Sequence, residues 1–216
     1  MAAIKNEPGE SDMYTLYHAN GACSLAVKAA LTLANVEFRT VTLDFSKKEH
    51  LSPDYRAINP FGKVPALDTG EFVLTEGVAI HLYLAEQYSE AHLLPDRVPD
   101  RYQALKWLSV IYCNLHPHFV RMFYPERFGT STQDIKQKAT NDILSTFSLI
   151  DRQLESSAFL SGDSLGPADL YLAVQLHWAK SLKIDIEPFN SFTSFLDSIH
   201  RHEVIGEIYK SEYSVT

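Results

Sequence analysis

The order of strand-like and helix-like segments is the feature that most constrains the fold of this chain. Up to about residue 90, runs rich in β-branched and aromatic residues alternate with helical runs, whereas from Arg101 onward helical patterns follow one another. Strand–helix–strand units predict a small parallel sheet, to which a later hairpin adds an antiparallel edge. The predicted elements are strands over 13–17 and 37–45, a helix over 24–36, the hairpin strands KVPAL and EFVLT, and a helix over 75–88.

The second half of the chain has the patterns of packed helices. Residues 89–100 carry two prolines and little periodicity, which is typical of a linker. Beyond them, apolar residues recur at the spacing of one buried helical face, at Ala104, Leu108, Ile111 and Leu115. We therefore predict a flexible tail over 1–12, an α/β domain over 13–89, a linker over 90–100 and an all-helical domain over 101–216.

Charge and composition exclude several classes of protein. The 216 residues include 19 basic and 27 acidic side chains, a net charge of −8, without a run of Lys or Arg. Nucleic acid and anionic membranes are therefore not expected partners. Two cysteines in a chain of this length make no disulfide framework, and no segment has the apolar length of a membrane span. We expect a cytoplasmic protein. The two closely spaced histidine pairs lack a carboxylate or thiol cluster beside them, so no metal site is predicted.

Cys23, in the stretch YHANGACSLA, is the first candidate for chemistry. It follows a Gly-containing turn where an apolar strand gives way to a helix. Backbone N–H groups at the start of a helix favour a thiolate over a thiol. A capping or buried cysteine without chemistry is the alternative, and the position alone does not decide between them.

Four successive stretches of the chain resemble the glutathione transferases, and their residues are most similar to those of the bacterial beta class. They are YHANGACSLA, INPFGKVPALDTGEFVLTEGVAIHLYLAE, RYQALKWLSVIYCNLHPHF and FLSGDSLGPADLYL, and the resemblance covers roughly residues 13–205. It implies a thioredoxin-like N-terminal domain that binds glutathione and an all-helical C-terminal domain that supplies most of the electrophile pocket. It also implies that Cys23 faces the sulfur of glutathione.

The resemblance assigns binding roles within the first domain. It implies a cis bond between Val64 and Pro65, which exposes the backbone of Val64 to the cysteinyl unit of glutathione. Glu76 and Gly77, at a helix start, would hold the γ-glutamyl unit through a carboxylate and backbone N–H groups. Lys48 would meet the glycyl carboxylate, with a solvated surface lysine as the alternative.

The helical domain supplies a second set of candidates. His116 matches a beta-class histidine near the ligand sulfur, where an imidazole can take or hold a proton. Ser109 and Cys113 share its stripe of the helix at regular spacing, and Asn114 matches a residue that reaches toward glutathione, across a dimer in one alternative. Pro117 departs from the family pattern and should bend the helix beside His116.

The predicted function is conjugation of glutathione to small electrophiles, with thiol–disulfide exchange through Cys23 because a cysteine can form a mixed disulfide. Glutathione is a co-substrate, and no other cofactor is expected. The second substrate is a small electrophile or a disulfide. The resemblance implies a homodimer. The alternatives are a non-catalytic glutathione- or ligand-binding protein on the same fold, and a dedicated oxidoreductase or dehalogenating transferase.

Overall fold

A computed structural model describes residues 13–213, so the tail predicted over 1–12 and the last three residues of the predicted helical domain lie outside it. The first half forms a four-stranded sheet in the order β2-β1-β3-β4, in which β1 and β2 are parallel and the hairpin β3–β4 is antiparallel. This is the predicted mixed sheet. Its strands are β1 (Tyr14–His18), β2 (Phe38–Thr42), β3 (Ala66–Asp68) and β4 (Val73–Thr75).

Three helices accompany the sheet. Helix α1 ends at Leu33 rather than at the predicted residue 36, because Asn35 takes a positive φ of 52° that an α-helix cannot continue through. Between β2 and the hairpin lie a 3₁₀ turn (Glu49–Leu51) and a helix that Ser52 caps through its side chain. The helices are α1 (Ser24–Leu33), α2 (Pro53–Ile58) and α3 (Gly77–Gln87).

The second half is helical, as predicted, but it begins earlier. Its first helix starts at Val98, inside the segment predicted as a linker, because Pro99 is tolerated in a first helical turn and Asp100 favours the helix N-terminus there. No helix among the described residues is long and apolar enough to cross a membrane. The helices are α4 (Val98–Ser109), α5 (His116–Phe123), α6 (Thr132–Leu154), α7 (Pro167–Ser181), α8 (Asn190–Arg201) and α9 (Gly206–Tyr213).

A π-helical turn, Val110–Leu115, separates α4 from α5. Pro117, at the start of α5, lacks the N–H that would continue the α-helical ladder, so the predicted disturbance is present as a wide turn. A π turn advances each residue by less than the 100° of an α-helix. The stripe predicted from regular spacing through Ser109, Cys113 and His116 is therefore broken.

One hydrophobic core runs through both halves of the chain. Helix α7 is buried along most of its length and packs against α1 of the sheet domain. Asp169, fully buried in its first turn, accepts hydrogen bonds from the backbone N–H groups of Leu160 (2.7 Å) and Gly166 (2.9 Å). Because α7 contacts both the sheet domain and the other helices, its side chains lie where the two domains meet.

Candidate active site between the two domains

A cavity of about 1190 Å³ lies between the sheet domain and the helical domain. The turn before α1, the loop before β3 and the start of α3 form one wall, and α5, α7, the 3₁₀ turn Pro125–Arg127 and the end of α9 form the other. Six of the ten predicted site residues line it: Cys23, Val64, Pro65, Glu76, Gly77 and His116.

The loop before β3 has the predicted cis bond between Val64 and Pro65. The carbonyl of Lys63 accepts hydrogen bonds from the Tyr55 hydroxyl (2.5 Å) and the Asn59 side-chain amide (2.7 Å). These two hydrogen bonds from buried side chains fix the position of the loop. The backbone of Val64 is thereby presented at the cavity wall beside Cys23.

Cys23 lies at the N-cap position of α1, partly buried at the cavity wall. Its thiol donates a hydrogen bond to the carbonyl oxygen of Val64 at 3.0 Å. Such a bond exists only while the sulfur carries its proton, so it favours the thiol over the thiolate. The turn and the loop are therefore coupled through this one contact.

Burial raises the pKa of the Cys23 thiol to about 12, although the backbone N–H groups of Cys23 and Ser24 and the hydroxyl of Tyr171 act in the opposite direction. The start of the helix does not by itself make Cys23 a thiolate in the ligand-free protein. The helix N-terminus contributes in the expected sense, but desolvation by the surrounding residues outweighs it.

Tyr171, on α7, connects Cys23 with His116. Its hydroxyl is hydrogen-bonded to Nδ1 of His116, and it also lies within hydrogen-bonding reach of the Cys23 sulfur. Burial, together with the nearby charge of Lys63, lowers the pKa of His116 to about 4, so the imidazole is neutral at pH 7. His116 thus reaches the cysteine through a buried phenol.

The start of α3 is shaped by the helical domain. Glu76 is exposed at the cavity with a positive φ of 65°, a backbone conformation that is uncommon for a residue with a side chain. Gly77, next to it, lies directly beneath the ring of Tyr112 from the π turn. A Cβ atom at position 77 would come within 2.0 Å of the Tyr112 hydroxyl oxygen. The absence of a side chain there is therefore required by packing between the domains.

The turn that carries Cys23 is held by the end of the chain and by α7. The backbone N–H of Gly21 donates to the Glu212 carboxylate (2.8 Å), and its carbonyl accepts from the Trp178 indole (2.6 Å) and the Tyr213 hydroxyl (3.3 Å). Glu212 also pairs with Lys28 at 2.9 Å. Both backbone groups of Gly21 therefore depend on the helical domain.

The remaining four predicted residues lie elsewhere. Lys48 is exposed at the start of the 3₁₀ turn Glu49–Leu51, and Ser109, Cys113 and Asn114 are exposed on α4 and the π turn. None of them lines the cavity. The π turn presents Tyr112 to the cavity in the place expected for Cys113.

The hydroxyl of Ser24, the residue after Cys23, points away from the cavity. Ser24 is fully buried, and its hydroxyl bonds with Nδ1 of His18 (2.8 Å) and with the backbone N–H of Ala19 (3.2 Å). Ser24 could take the place of Cys23 at the cavity only by breaking these hydrogen bonds.

Sequence reasoning missed the residues that complete the site from the helical domain. Tyr112 and Tyr171 stand within quoted motifs, but nothing in an aromatic residue of an apolar helix distinguishes a site phenol from a core one. Glu212 gave no signal. Among residues 13–213, no group of His, Cys, Asp and Glu is arranged to hold a metal ion.

Comparison with known families matches both domains that form the walls of the cavity. The family model for the glutathione S-transferase N-terminal domain matches residues 13–86, and that for the C-terminal domain matches residues 103–203. The chain belongs to the glutathione S-transferase family. The transferase domain boundary thus falls between the two matched regions, where α3 ends and α4 begins.

Individual glutathione transferases are similar over nearly the whole chain. Glutathione S-transferase GstA of Escherichia coli O157:H7 is 31% identical over 91% of this chain and 98% of its own length. Glutathione S-transferase Z2 of Arabidopsis thaliana is 31% identical over 82% and 81%. The structure of a bacterial beta class enzyme from Sphingomonas chungbukensis has a TM-score of 0.81 at 32% identity and covers 92% of this chain and 98% of its own. The chain is thus a transferase that uses glutathione.

Proposed function

We propose that this glutathione transferase joins glutathione to small electrophiles and also exchanges disulfides through Cys23. The observation that carries the proposal is that one cavity brings together the cis Val64–Pro65 loop, the start of α3 and the Cys23–Tyr171–His116 contacts. The first two are suited to a peptide backbone and a charged amino acid, and the third to a reacting sulfur.

Glutathione binding is assigned to the sheet domain. In this proposal the cysteinyl backbone of glutathione pairs with the backbone of Val64. The γ-glutamyl ammonium pairs with Glu76 while the helix start at Gly77 takes its carboxylate. The exposure of Glu76 at the cavity supports this assignment.

Conjugation then needs the glutathione thiol to lose its proton. The sulfur attacks the electrophilic carbon, a carbon–sulfur bond forms, and the leaving group departs with its electron pair. Neutral His116 and the hydroxyl of Tyr171 can accept or share the proton at the sulfur, and the charge of Lys63 favours the anion.

Disulfide exchange needs Cys23 to leave the carbonyl of Val64. The proposed pairing of glutathione with Val64 competes for that carbonyl and so removes the bond that favours the protonated thiol. The Cys23 sulfur attacks one sulfur of glutathione disulfide, the disulfide breaks, and glutathione leaves with the proton given up by Cys23. A mixed disulfide remains on Cys23.

Binding and conjugation are tested with Glu76→Ala. We expect it to weaken glutathione binding in calorimetry by about 1.5–3 kcal/mol, the scale of a hydrogen bond to a charged group. Glu71→Ala, an exposed glutamate of the same domain outside the cavity, is the control. Turnover of 1-chloro-2,4-dinitrobenzene separates the enzyme from a non-catalytic binding protein. Failure of the folded, reduced protein to bind millimolar glutathione would overturn the assignment.

Exchange is tested by comparing the two cysteines with two reagents. Iodoacetamide should modify exposed Cys113 faster than Cys23 in the ligand-free protein, because the pKa of Cys23 is raised. Glutathione disulfide should instead add one glutathione to Cys23, visible in the intact mass and by peptide mapping. Cys23→Ala should abolish this adduct and Cys113→Ala should not. An adduct confined to Cys113 contradicts the exchange step.

Class, assembly and location belong to the same proposal. Cys23 and the likeness to a beta class structure support membership of that class. We propose a cytoplasmic homodimer, for which sedimentation should give a species of twice the 24.4 kDa chain mass. We also propose glutathione contacts for four exposed residues, Lys48, Ser109, Cys113 and Asn114. Because they are exposed, we expect them to contact glutathione bound by a partner subunit.

A further inference from the structure

The cavity has a charge that differs from that of the chain as a whole. The protein carries a net charge of −8, yet the cavity lining contains four cations, Lys63, Arg121, Arg127 and Lys180, against two carboxylates. Three of the cations come from the helical wall, opposite the residues proposed for glutathione. A cleft lined by one sign of charge concentrates ligands of the other sign.

The two carboxylates do not cancel this charge on the helical side. Glu212 is 6% exposed and is neutralised by Lys28 at 2.9 Å, next to His18 at 3.0 Å. Glu76 lies across the cavity at the start of α3, where the proposed function gives it the ammonium group of glutathione. The positive charge of the helical wall therefore remains available to a second ligand.

The two arginines of this wall lie against aromatic rings rather than against acids. The Arg121 guanidinium is over the ring of Phe128 at 5.2 Å and contacts Nδ1 of His118 at 3.2 Å, and Arg127 is over the ring of Tyr124 at 4.0 Å. Among the described residues neither has a carboxylate within 4.0 Å. Stacking orients a guanidinium and leaves its N–H edge for an acceptor.

Cations of both walls act on histidines inside the cavity. Burial, followed by the charge of Arg127, lowers the pKa of His50 on the opposite wall. Burial, followed by the charge of Lys63, likewise lowers that of His116. The histidines are therefore neutral and add hydrogen-bonding groups without adding charge.

We propose that the second substrate is an aromatic electrophile bearing a carboxylate, which Arg121 and Arg127 hold against the aromatic wall. The inference rests on the proposed conjugation and adds its substrate class. Phe123, Tyr124, Phe128 and Trp178 supply an apolar surface for the ring. The two guanidiniums supply the planar donors that suit a carboxylate.

The test uses a pair of substrates that differ only in charge, 4-chloro-3,5-dinitrobenzoate and its methyl ester. In both, the glutathione sulfur bonds to the carbon that bears chlorine, chloride leaves with the bonding electrons, and the thiol proton goes to solvent. Each kcat/KM is divided by the uncatalysed rate constant, because the ester is the more reactive compound without enzyme. We expect this ratio to favour the benzoate.

The double variant Arg121→Gln/Arg127→Gln should lower kcat/KM for the benzoate by about tenfold or more, the effect of losing a charge-assisted hydrogen bond. It should change the ester, and the KM for glutathione, by less than about twofold. Arg201→Gln, which removes an exposed charge on α8 outside the cavity, is the control.

Equal losses for both substrates, or a raised KM for glutathione alone, would overturn the inference and leave the transferase function standing. Should neither compound turn over, the two glutathione conjugates are compared by calorimetry. Tighter binding of the carboxylate conjugate that depends on the two arginines supports the inference, and equal binding of the two conjugates refutes it. Loss of glutathione binding itself would instead contradict the proposed function.

Discussion

Replacing Glu212 by Gln tests how the end of the chain supports the turn that carries Cys23. Burial alone would raise the pKa of this carboxyl, but His18, the backbone N–H of Gly21 and Lys28 outweigh burial and lower it from 4.5 to about 2. At 1.36 kcal/mol for each pH unit, these partners stabilise the folded state by about 3 kcal/mol. Gln keeps an acceptor for Gly21, so we expect Glu212→Gln to lower the free energy of unfolding by about 2–3 kcal/mol at pH 7.

The stability difference between the two proteins depends on pH in a direction set by the lowered pKa of Glu212. Because the folded pKa of Glu212 lies below its unfolded value, its contribution is fully present above about pH 4.5 and is lost as the pH falls toward 2. Urea unfolding of both proteins should therefore show a difference that is largest at pH 7 and less than half as large at pH 3.

A matched control lies on the same helix. Glu207 is 84% exposed in its pair with Lys210, so Glu207→Gln should change the free energy of unfolding by less than about 0.5 kcal/mol. Glu212→Gln should also weaken glutathione binding, since it loosens the turn at Gly21. Equal stability of the two variants at pH 7, or a difference that grows on acidification, would refute the reasoning.

Two further changes probe contacts made by the helical domain. Tyr171→Phe removes a hydroxyl that lowers the pKa of the Cys23 thiol, so alkylation of Cys23 at pH 8 should slow about fivefold, the effect of one hydrogen bond, while Cys113 is unaffected. Gly77→Ala places a Cβ within 2.0 Å of the Tyr112 hydroxyl, so we expect a loss of about 1–3 kcal/mol in unfolding free energy together with weaker glutathione binding in calorimetry. Adding Tyr112→Ala to Gly77→Ala should restore part of that binding, and no recovery would point to a role for the glycine other than packing.

The parts of the site that sequence could predict are carried by short contiguous motifs. The family resemblance implied a cis bond at Val64–Pro65 and a helix start at Glu76 and Gly77, and the structure has both. In these cases the backbone conformation depends mainly on neighbouring residues. The mixed sheet and the helical second half were likewise predictable, because periodicity is a local signal.

Properties that depend on the other domain were not predictable. A helix start favours a thiolate at Cys23, but desolvation between the two domains raises the pKa of its thiol. Cys113 was expected at the cavity from an α-helical spacing, which the π turn before Pro117 interrupts. Tyr171 reaches Cys23 only because α7 packs against α1, and no short sequence pattern predicts that packing.

The contact between Gly21 and Glu212 has a consequence for the order of folding. It joins residues 191 positions apart, and the pair of Lys28 with Glu212 spans 184. Closing so long a stretch of chain carries a large entropic cost, so such contacts form after the local helices and hairpins. We therefore expect a refolding chain to regain its sheet and most of its helices before the turn that carries Cys23 has its final support. Recovery of secondary structure should then precede recovery of the site around the Cys23 thiol.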